Sequence, residues 1–287
     1  MSKERKIRRA PHNHRTQADI SRRRFLIGAG VALVAGGGIA YEVLRRQNPE
    51  PAGPDEDMKI LQQEIARSGA IPDATEQQMW QRSYQRAKQA VPVTEETLPR
   101  VGTYLEQTIG NMASSKNKYF RHAADVIKEQ NRIQLLRVSV EGFLQIGGHE
   151  TFAAVSGVAE ENRFRYVLYI DGGQVLNNSN SLLLAIALAH EAEHLEDGYK
   201  FQNSLPRNLT FQERVDREKQ RRKSDPVLSE TGAYAIQSEA FIEAFRLGVG
   251  SDAPDDMIHI AAEYIRAGKN KDSQAWKDFI ARHIAQK

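Results

Sequence analysis

Two histidines four residues apart, with a glutamate directly after the first, are the part of this sequence best suited to chemistry. They lie in residues 190–194, HEAEH, an H-E-x-x-H pattern. On a helix, residues four apart lie on one face, so both imidazoles can reach one divalent cation. Glu191 then lies beside the cation's open position, where a carboxylate can accept a proton from water and pass it to a leaving group. The spacing predicts a Zn²⁺ site with His190 and His194 as ligands and Glu191 as the catalytic base.

A zinc site that keeps one position open for water needs a third protein ligand. The chain has no cysteine, so this ligand must be His, Asp or Glu, and disulfides are excluded. Glu230, Glu239 and Glu243 share one later predicted helix and compete for the role. Each of them could equally be a solvated carboxylate on the helix surface, and the residues by themselves leave the choice open.

The element that carries the motif is expected to be a buried helix. Residues 182–189 are uncharged and apolar on nearly every side, and they lead directly into the motif. Residues 177–180, NNSN, precede them and are typical helix-capping residues. Upstream, residues 164–170 and 152–158 are rich in aromatic, small or β-branched side chains, and residues 142–146 are apolar. These stretches predict two or three antiparallel strands beside the helix.

The remainder of the folded chain has helical periodicity. Four helical stretches are predicted near residues 58–66, 75–84, 94–112 and 119–138. After the motif, the charge-rich run 214–223 predicts a solvated helix, and further helices are expected at 226–245, 255–267 and 273–285. The expected fold class is therefore α+β and mostly helical. Its division is a helical subdomain at 58–140 and a core at 141–287 that contains the motif.

Residues 164–194 resemble the edge strand and active-site helix of zincin metallopeptidases, whose edge strand pairs with extended substrate. The resemblance implies a zincin-like core. Metzincins continue the motif with a glycine and a third histidine, three and six residues after His194. Asp197 and Lys200 occupy these positions here, so the metzincin branch does not fit.

Gluzincins instead take a glutamate from a following helix, often with an alanine three residues later. Glu230 and Ala233 fit that pattern, whereas Glu239 lacks the alanine. The resemblance to gluzincins implies Glu230 as the third metal ligand, completing a site of two histidines and one glutamate. It also implies that Tyr234 could donate to the oxyanion of the reaction, although a tyrosine at this helical position could equally be packing.

Two weaker candidates accompany these residues. Asp197, one helical turn past Glu193, could be a hydrogen-bond partner that orients a ligand histidine, or it could be an ordinary carboxylate near a helix end. His149 follows two glycines and could face the cleft, although a lone loop histidine is more often solvated.

The N-terminal segment is predicted to be an export signal. Residues 21–26, SRRRFL, resemble the twin-arginine motif of bacteria and open an apolar, glycine-rich run over 25–41 behind a basic stretch. Residues 1–44 are therefore expected to be a twin-arginine signal or signal-anchor, and the Pro-rich, acidic residues 45–57 a linker. The resemblance implies export by the twin-arginine machinery to the periplasm, or anchoring in the inner membrane facing it. A plain membrane anchor is the alternative.

Net charge separates this tail from the body of the chain. Residues 1–24 carry nine Lys or Arg and two Asp or Glu, whereas the whole chain has a formal charge of +3, so the rest is mildly acidic. A mildly acidic body argues against nucleic acid as a partner. The expected function is a zinc-dependent metalloendopeptidase acting on peptide or protein. The alternatives are a non-catalytic, metal-stabilised binding or assembly protein of the cell envelope and a zinc hydrolase of a non-peptide amide.

Overall fold

The structure is a computed structural model that describes residues 53–82, 94–130, 133–136, 153–160, 163–177, 181–251 and 253–286. The predicted export signal, the predicted strand at 142–146 and His149 lie outside these residues. None of the described helices is both long and apolar enough to cross a bilayer.

The described residues form an α+β fold that is mostly helical. Four helices precede the sheet: α1 (Pro54–Ser68), α2 (Ala74–Arg82), α3 (Leu98–Ser114) and α4 (Lys118–Gln130). The strands are β1 (Ile133–Leu136), β2 (Ala153–Glu160) and β3 (Arg163–Asp171). Six helices follow them: α5 (Gly172–Asn177), α6 (Ser181–Ser204), α7 (Phe211–Ser224), α8 (Pro226–Arg246), α9 (Asp255–Arg266) and α10 (Gln274–Gln286).

The sheet has β3 at its centre, between β1 and β2. β2 pairs with β3 antiparallel, with Ala153 opposite Ile170, which confirms the predicted hairpin. β1 pairs with β3 in parallel, with Ile133 opposite Leu168. The predicted helix over 119–138 is therefore wrong in its last turns, because a short apolar run such as 133–136 suits a strand as well as a helix.

The same pairing corrects the expectation that residues 164–170 form an edge strand. An extended substrate can add only to a strand with an unpaired edge. β3 is hydrogen-bonded on both sides, to β1 on one and to β2 on the other. β1 lies in the segment that the sequence predicts to be helical. Within the described sheet, the edges belong to β1 and β2.

Helix α6 is the centre of the molecule and carries the H-E-x-x-H motif. It has 24 residues and contacts α3, α4, α8 and the strands β2 and β3. The predicted buried helix is confirmed, because Leu184, Ala185, Ile186, Leu188 and Ala189 are all fully buried. Removing this apolar surface from water holds the helix in place, and with it the two histidines at its middle.

The N-terminal helices pack on the same core. Leu61 of α1, Met112 of α3 and Ile260 of α9 belong to one buried hydrophobic cluster. Helix α1 begins at Pro54, so the predicted linker ends earlier than residue 57. The reason is that proline in the first turn and the acidic side chains after it favour a helix start. A division of the chain at residue 140 stays a prediction.

A set of buried hydrogen bonds around the turn between α3 and α4 also holds α8 in place. Glu76 is buried and accepts hydrogen bonds from Trp80 Nε1 at 3.0 Å and Ser115 Oγ at 2.9 Å. Two residues on, Asn117 donates through Nδ2 to the carbonyl of Ala240 in α8 at 2.8 Å. Buried hydrogen bonds of this kind are costly to break, so the turn between α3 and α4 holds α8 against the core.

Candidate metal centre

The two motif histidines point their ring nitrogens at one another. His190 and His194 lie one turn apart on α6, and their Nε2 atoms are 3.1 Å apart. The side chains are largely covered, with 11% and 15% of their surface exposed. The i, i+4 spacing thus places two imidazole nitrogens side by side, as predicted from the sequence.

Helix α8 brings the carboxylate of Glu230 to this pair. Its Oε2 lies 3.4 Å from Nε2 of His190, and its Oε1 lies 3.4 Å from Nε2 of His194. The Glu230 side chain is 31% exposed, which leaves this corner of the group more open than the histidine side. Among the described residues, these three side chains form one of two groups whose ligand atoms are close enough for a shared cation.

The separations within the group fit metal ligands better than a hydrogen-bonded ion pair. A tetrahedral ion with bonds of about 2.0–2.1 Å holds neighbouring ligand atoms about 3.4 Å apart. A charge-assisted hydrogen bond is shorter, about 2.7–2.9 Å from nitrogen to oxygen. The histidine-to-glutamate separations of 3.4 Å match the first geometry. Two imidazoles and one carboxylate are also a donor set that suits Zn²⁺.

The two imidazoles also govern the charge of Glu230. Burial alone would raise the pKa of this carboxyl. His194 and His190 beside it outweigh burial and hold the pKa of this carboxyl well below its usual range. Glu230 is therefore ionised in the metal-free group.

Ser229 supports His194 from behind. Its Oγ lies 3.2 Å from Nδ1 of His194, on the side of the ring opposite Nε2. A hydrogen bond at the outer nitrogen fixes the tautomer and orientation of a ligand histidine. Asp197, which the sequence offered for this role, is paired elsewhere. Its Oδ2 accepts from Nη1 of Arg221 at 2.6 Å, which ties α7 to α6.

The competing glutamates of α8 are placed away from the histidines. Burial raises the pKa values of Tyr119 and Tyr264, and the carboxylate of Glu239 beside them raises both further. Glu243 is 2.7 Å from Nη1 of Arg246 on the next helical turn. Of the three candidates, only Glu230 joins the two histidines.

Glu191 and Tyr234 are both near this group. Glu191 follows His190 on α6 and is 8% exposed. The ring of Tyr234 stands edge-on to the ring of His190, with centroids 4.7 Å apart and an angle of 79° between the planes. Burial raises the pKa of Tyr234, and the nearby carboxylates of Glu230 and Glu191 raise it further, so its hydroxyl stays protonated at neutral pH.

The second group of possible ligands consists of Asp57, His259 and Glu263. Arg266 already supplies a cation there, since its Nη2 lies 2.7 Å from Oδ1 of Asp57 and its Nη1 is paired with Glu263. Nδ1 of His259 is 2.7 Å from the other oxygen of Asp57. This group is an ion-pair cluster that joins α1 to α9.

Sequence reasoning missed the residues that support the ligands. Ser229 directly precedes Glu230, so adjacency to a candidate ligand was a usable signal. His283, whose ring lies 5.2 Å from that of Tyr234, had no such signal because it is on the last helix, far from the motif.

Comparisons with known proteins add no family assignment. A scan against protein-family models and searches of curated proteins and of solved structures found no match.

Proposed function

We propose that this chain is a zinc-dependent hydrolase, specifically a metalloendopeptidase of the gluzincin type. One observation carries the proposal. His190, His194 and Glu230 bring their ligand atoms to separations of 3.1 to 3.4 Å, from an H-E-x-x-H helix and a later helix. Three protein ligands leave one position of a tetrahedral ion for water, which is the arrangement of catalytic zinc sites.

The residues of the chain have distinct roles in this proposal. His190, His194 and Glu230 hold the ion, and Ser229 orients the ring of His194. A bound zinc ion supplies Lewis acidity, which polarises a carbonyl and acidifies water. Glu191 accepts the proton of the attacking water and returns it to the leaving amine. Mutation of a general base of this kind lowers turnover by about 10²–10⁴-fold.

The surrounding architecture supports the zincin comparison at the level of local order. A hairpin (β2 and β3) precedes the motif helix α6, and a helix that carries the glutamate follows it. The central position of β3 departs from the family pattern, so we propose no pairing of substrate with β3. The zincin-like core is part of the proposal, and the substrate's side-chain preferences are left open.

The proposed location follows from the N-terminal resemblance. A twin-arginine signal would deliver the chain to the periplasm, or hold it on the outer face of the inner membrane if the signal stays attached. The proposed partners are the export machinery, that membrane and a peptide or protein substrate, with no role for nucleic acid.

The deciding experiment compares wild type with Glu191→Gln. Zinc content and the hydrolysis of unfolded casein are measured on both, with Glu193→Gln as the control because it changes the same motif at a non-ligand position. We expect equal zinc content in all three and turnover only in wild type and Glu193→Gln. Equal turnover in Glu191→Gln would reject the catalytic assignment.

The alternative is a non-catalytic binding or assembly protein of the cell envelope that is stabilised by its metal. If wild type binds zinc but hydrolyses no peptide, the result would support either this alternative or a zinc hydrolase that acts on a non-peptide amide. A purely structural site has no need of a base next to an open position, which is why the hydrolase is preferred.

A further inference from the structure

Five aromatic rings form a continuous column from the C-terminal helix to the metal ligands. On α10, Trp276 stacks on Phe279 with centroids 5.4 Å apart, and Phe279 stacks on His283 at 5.8 Å. His283 meets Tyr234 of α8 edge-on at 5.2 Å, and Tyr234 meets His190 edge-on at 4.7 Å. Edge-to-face and offset contacts at these distances are favourable and have a defined geometry.

The two ligand histidines are held in different ways. Nδ1 of His194 meets the hydroxyl of Ser229, whereas Nδ1 of His190 is buried and has no hydrogen-bond partner within the part of the chain that the structure describes. The ring of Tyr234 lies against His190 instead. The orientation of His190 therefore depends on ring packing where that of His194 depends on a hydrogen bond.

The base of the column is fixed to the helix that carries the third ligand. Nε1 of Trp276 donates to the carbonyl of Thr231 at 3.0 Å, and the indole is fully buried. Thr231 directly follows Glu230, and Tyr234 lies one turn after Glu230 on α8. Helix α10 thus contacts α8 at two points next to the ligand.

We infer that α10 is a positioning element of the metal centre, acting on His190 through the ring of Tyr234 and on Glu230 through the bond from Trp276 to Thr231. This inference rests on the proposed metal site. Tyr234 is then a positioning residue that acts through its aromatic ring. Donation from its hydroxyl to an oxyanion, which the gluzincin resemblance implies, stays a separate prediction. Groups that orient a ligand histidine typically change metal affinity by about 10–100-fold when they are removed.

The test separates the ring of Tyr234 from its hydroxyl. Zinc affinity is measured by competition with a chromophoric chelator, and the stability of the metal-free protein by chemical denaturation. We expect Tyr234→Phe to bind zinc within about twofold of wild type and Tyr234→Leu to bind it about tenfold more weakly. The matched control is Phe120→Leu, since Phe120 is a fully buried ring of α4 that packs on Trp80 outside the column.

A second pair of variants tests the column one ring further from the metal. His283→Phe keeps a ring that can stack on Phe279 and should leave zinc affinity unchanged. His283→Ala removes that ring and should weaken zinc binding. A cobalt-substituted protein gives an independent readout, because its visible spectrum reports ligand geometry, and we expect it to change in Tyr234→Leu and to stay constant in Phe120→Leu.

Three results have defined meanings. If Tyr234→Leu loses no more zinc affinity than Phe120→Leu, the inference is overturned. If Tyr234→Phe loses as much zinc affinity as Tyr234→Leu, the hydroxyl and not the ring holds the metal centre, and the inference is also overturned. If wild type binds zinc without hydrolysing any peptide, the proposed activity fails, but the affinity comparison still decides the role of the column.

Discussion

The hydroxyl of Ser229 lies 3.2 Å from Nδ1 of His194, while the next residue along the chain, Glu230, faces Nε2 of the same ring. Consecutive residues of α8 thus contact both nitrogens of one imidazole. With Nδ1 engaged by the hydroxyl, Nε2 is the nitrogen presented to a cation.

Replacing Ser229 tests this relationship directly. We expect Ser229→Ala to weaken zinc binding by about tenfold, because the ring of His194 then loses the bond that fixes its orientation. The measurement is a competition titration with a chelator. Ser224→Ala is the control, since that hydroxyl donates to the backbone carbonyl of Arg221 on an exposed helix turn. Equal zinc affinities in the two variants would contradict the role of Ser229.

Glu230 and Glu239 should behave differently although they share α8. Glu230→Gln removes a proposed charged ligand, so we expect zinc retention to fall by at least tenfold. Glu239→Gln leaves the proposed ligands in place and removes the carboxylate beside Tyr119 and Tyr264. For Glu239→Gln we expect a lower free energy of unfolding and an unchanged zinc affinity. If Glu239→Gln lost zinc and Glu230→Gln did not, the ligand assignment would be reversed.

Gly198 is the point where the sheet meets the motif helix. A Cβ added there would overlap Cζ of the Tyr166 ring in β3, so Gly198→Ala forces the ring or the helix to move. We expect a loss of about 2 kcal/mol in the free energy of unfolding, as for other overpacked cores, measured by denaturant titration.

The chain contains a matched control for this substitution. Gly110 lies within α3 with nothing within 4 Å of an added Cβ, so Gly110→Ala should stabilise the protein by about 0.5–1 kcal/mol. In a Tyr166→Leu background, Gly198→Ala should cost much less stability than it does in wild type, because the smaller side chain leaves room for the added Cβ. A stable Gly198→Ala single variant would show that the contact is unimportant.

Alkaline pH should destabilise the folded protein through its tyrosines. Burial raises the pKa of Tyr104 to about 12, against about 10 in the unfolded chain. Above pH 10 the unfolded chain releases this proton first, so stability is complete below about pH 10 and falls between about pH 10 and 12. Tyr119 and Tyr264 are shifted in the same direction by burial and by Glu239, and add to the fall.

Denaturant titrations over this pH range check the prediction, with Tyr104→Phe as the diagnostic variant. The free energy of unfolding of this variant should fall less steeply with pH than that of wild type, and the two slopes should differ by up to the value for one released proton. An ultraviolet titration should show that phenolate forms at higher pH in the native protein than in denaturant. Coincident titration curves for native and denatured protein would contradict it.

The parts of this fold that sequence predicted are the local ones. Helix α6, its buried character and the facing of His190 and His194 follow from spacing within a few turns of one helix. The hairpin of β2 and β3 was likewise visible in side-chain type. The parallel strand β1 was not, because its pairing with β3 joins residues far apart in the chain, and its apolar run also suits a helix.

The supporting contacts of the site were beyond sequence reasoning for the same physical reason. Which hydroxyl meets His194 and which ring meets His190 depend on how α8 and α10 pack against α6, and one sequence does not encode that packing in any short-range spacing. Asp197 illustrates the limit. Its position one turn past the motif suggested that it could orient a ligand histidine. In the structure it accepts a hydrogen bond from the guanidinium of Arg221 on α7 instead.

The proposed ligands His194 and Glu230 come from different helices, and the whole of α7 lies between them in the chain. An ion held by both would act as a cross-link in a protein that has no cysteine to form one. By restricting the unfolded chain, a link that closes a ring of this length contributes about 3–4 kcal/mol to stability in the chain-entropy description. Removing the ion would then loosen the charged segment around α7 that joins the two helices. A protease would be expected to cut this segment before the rest of the protein unfolds.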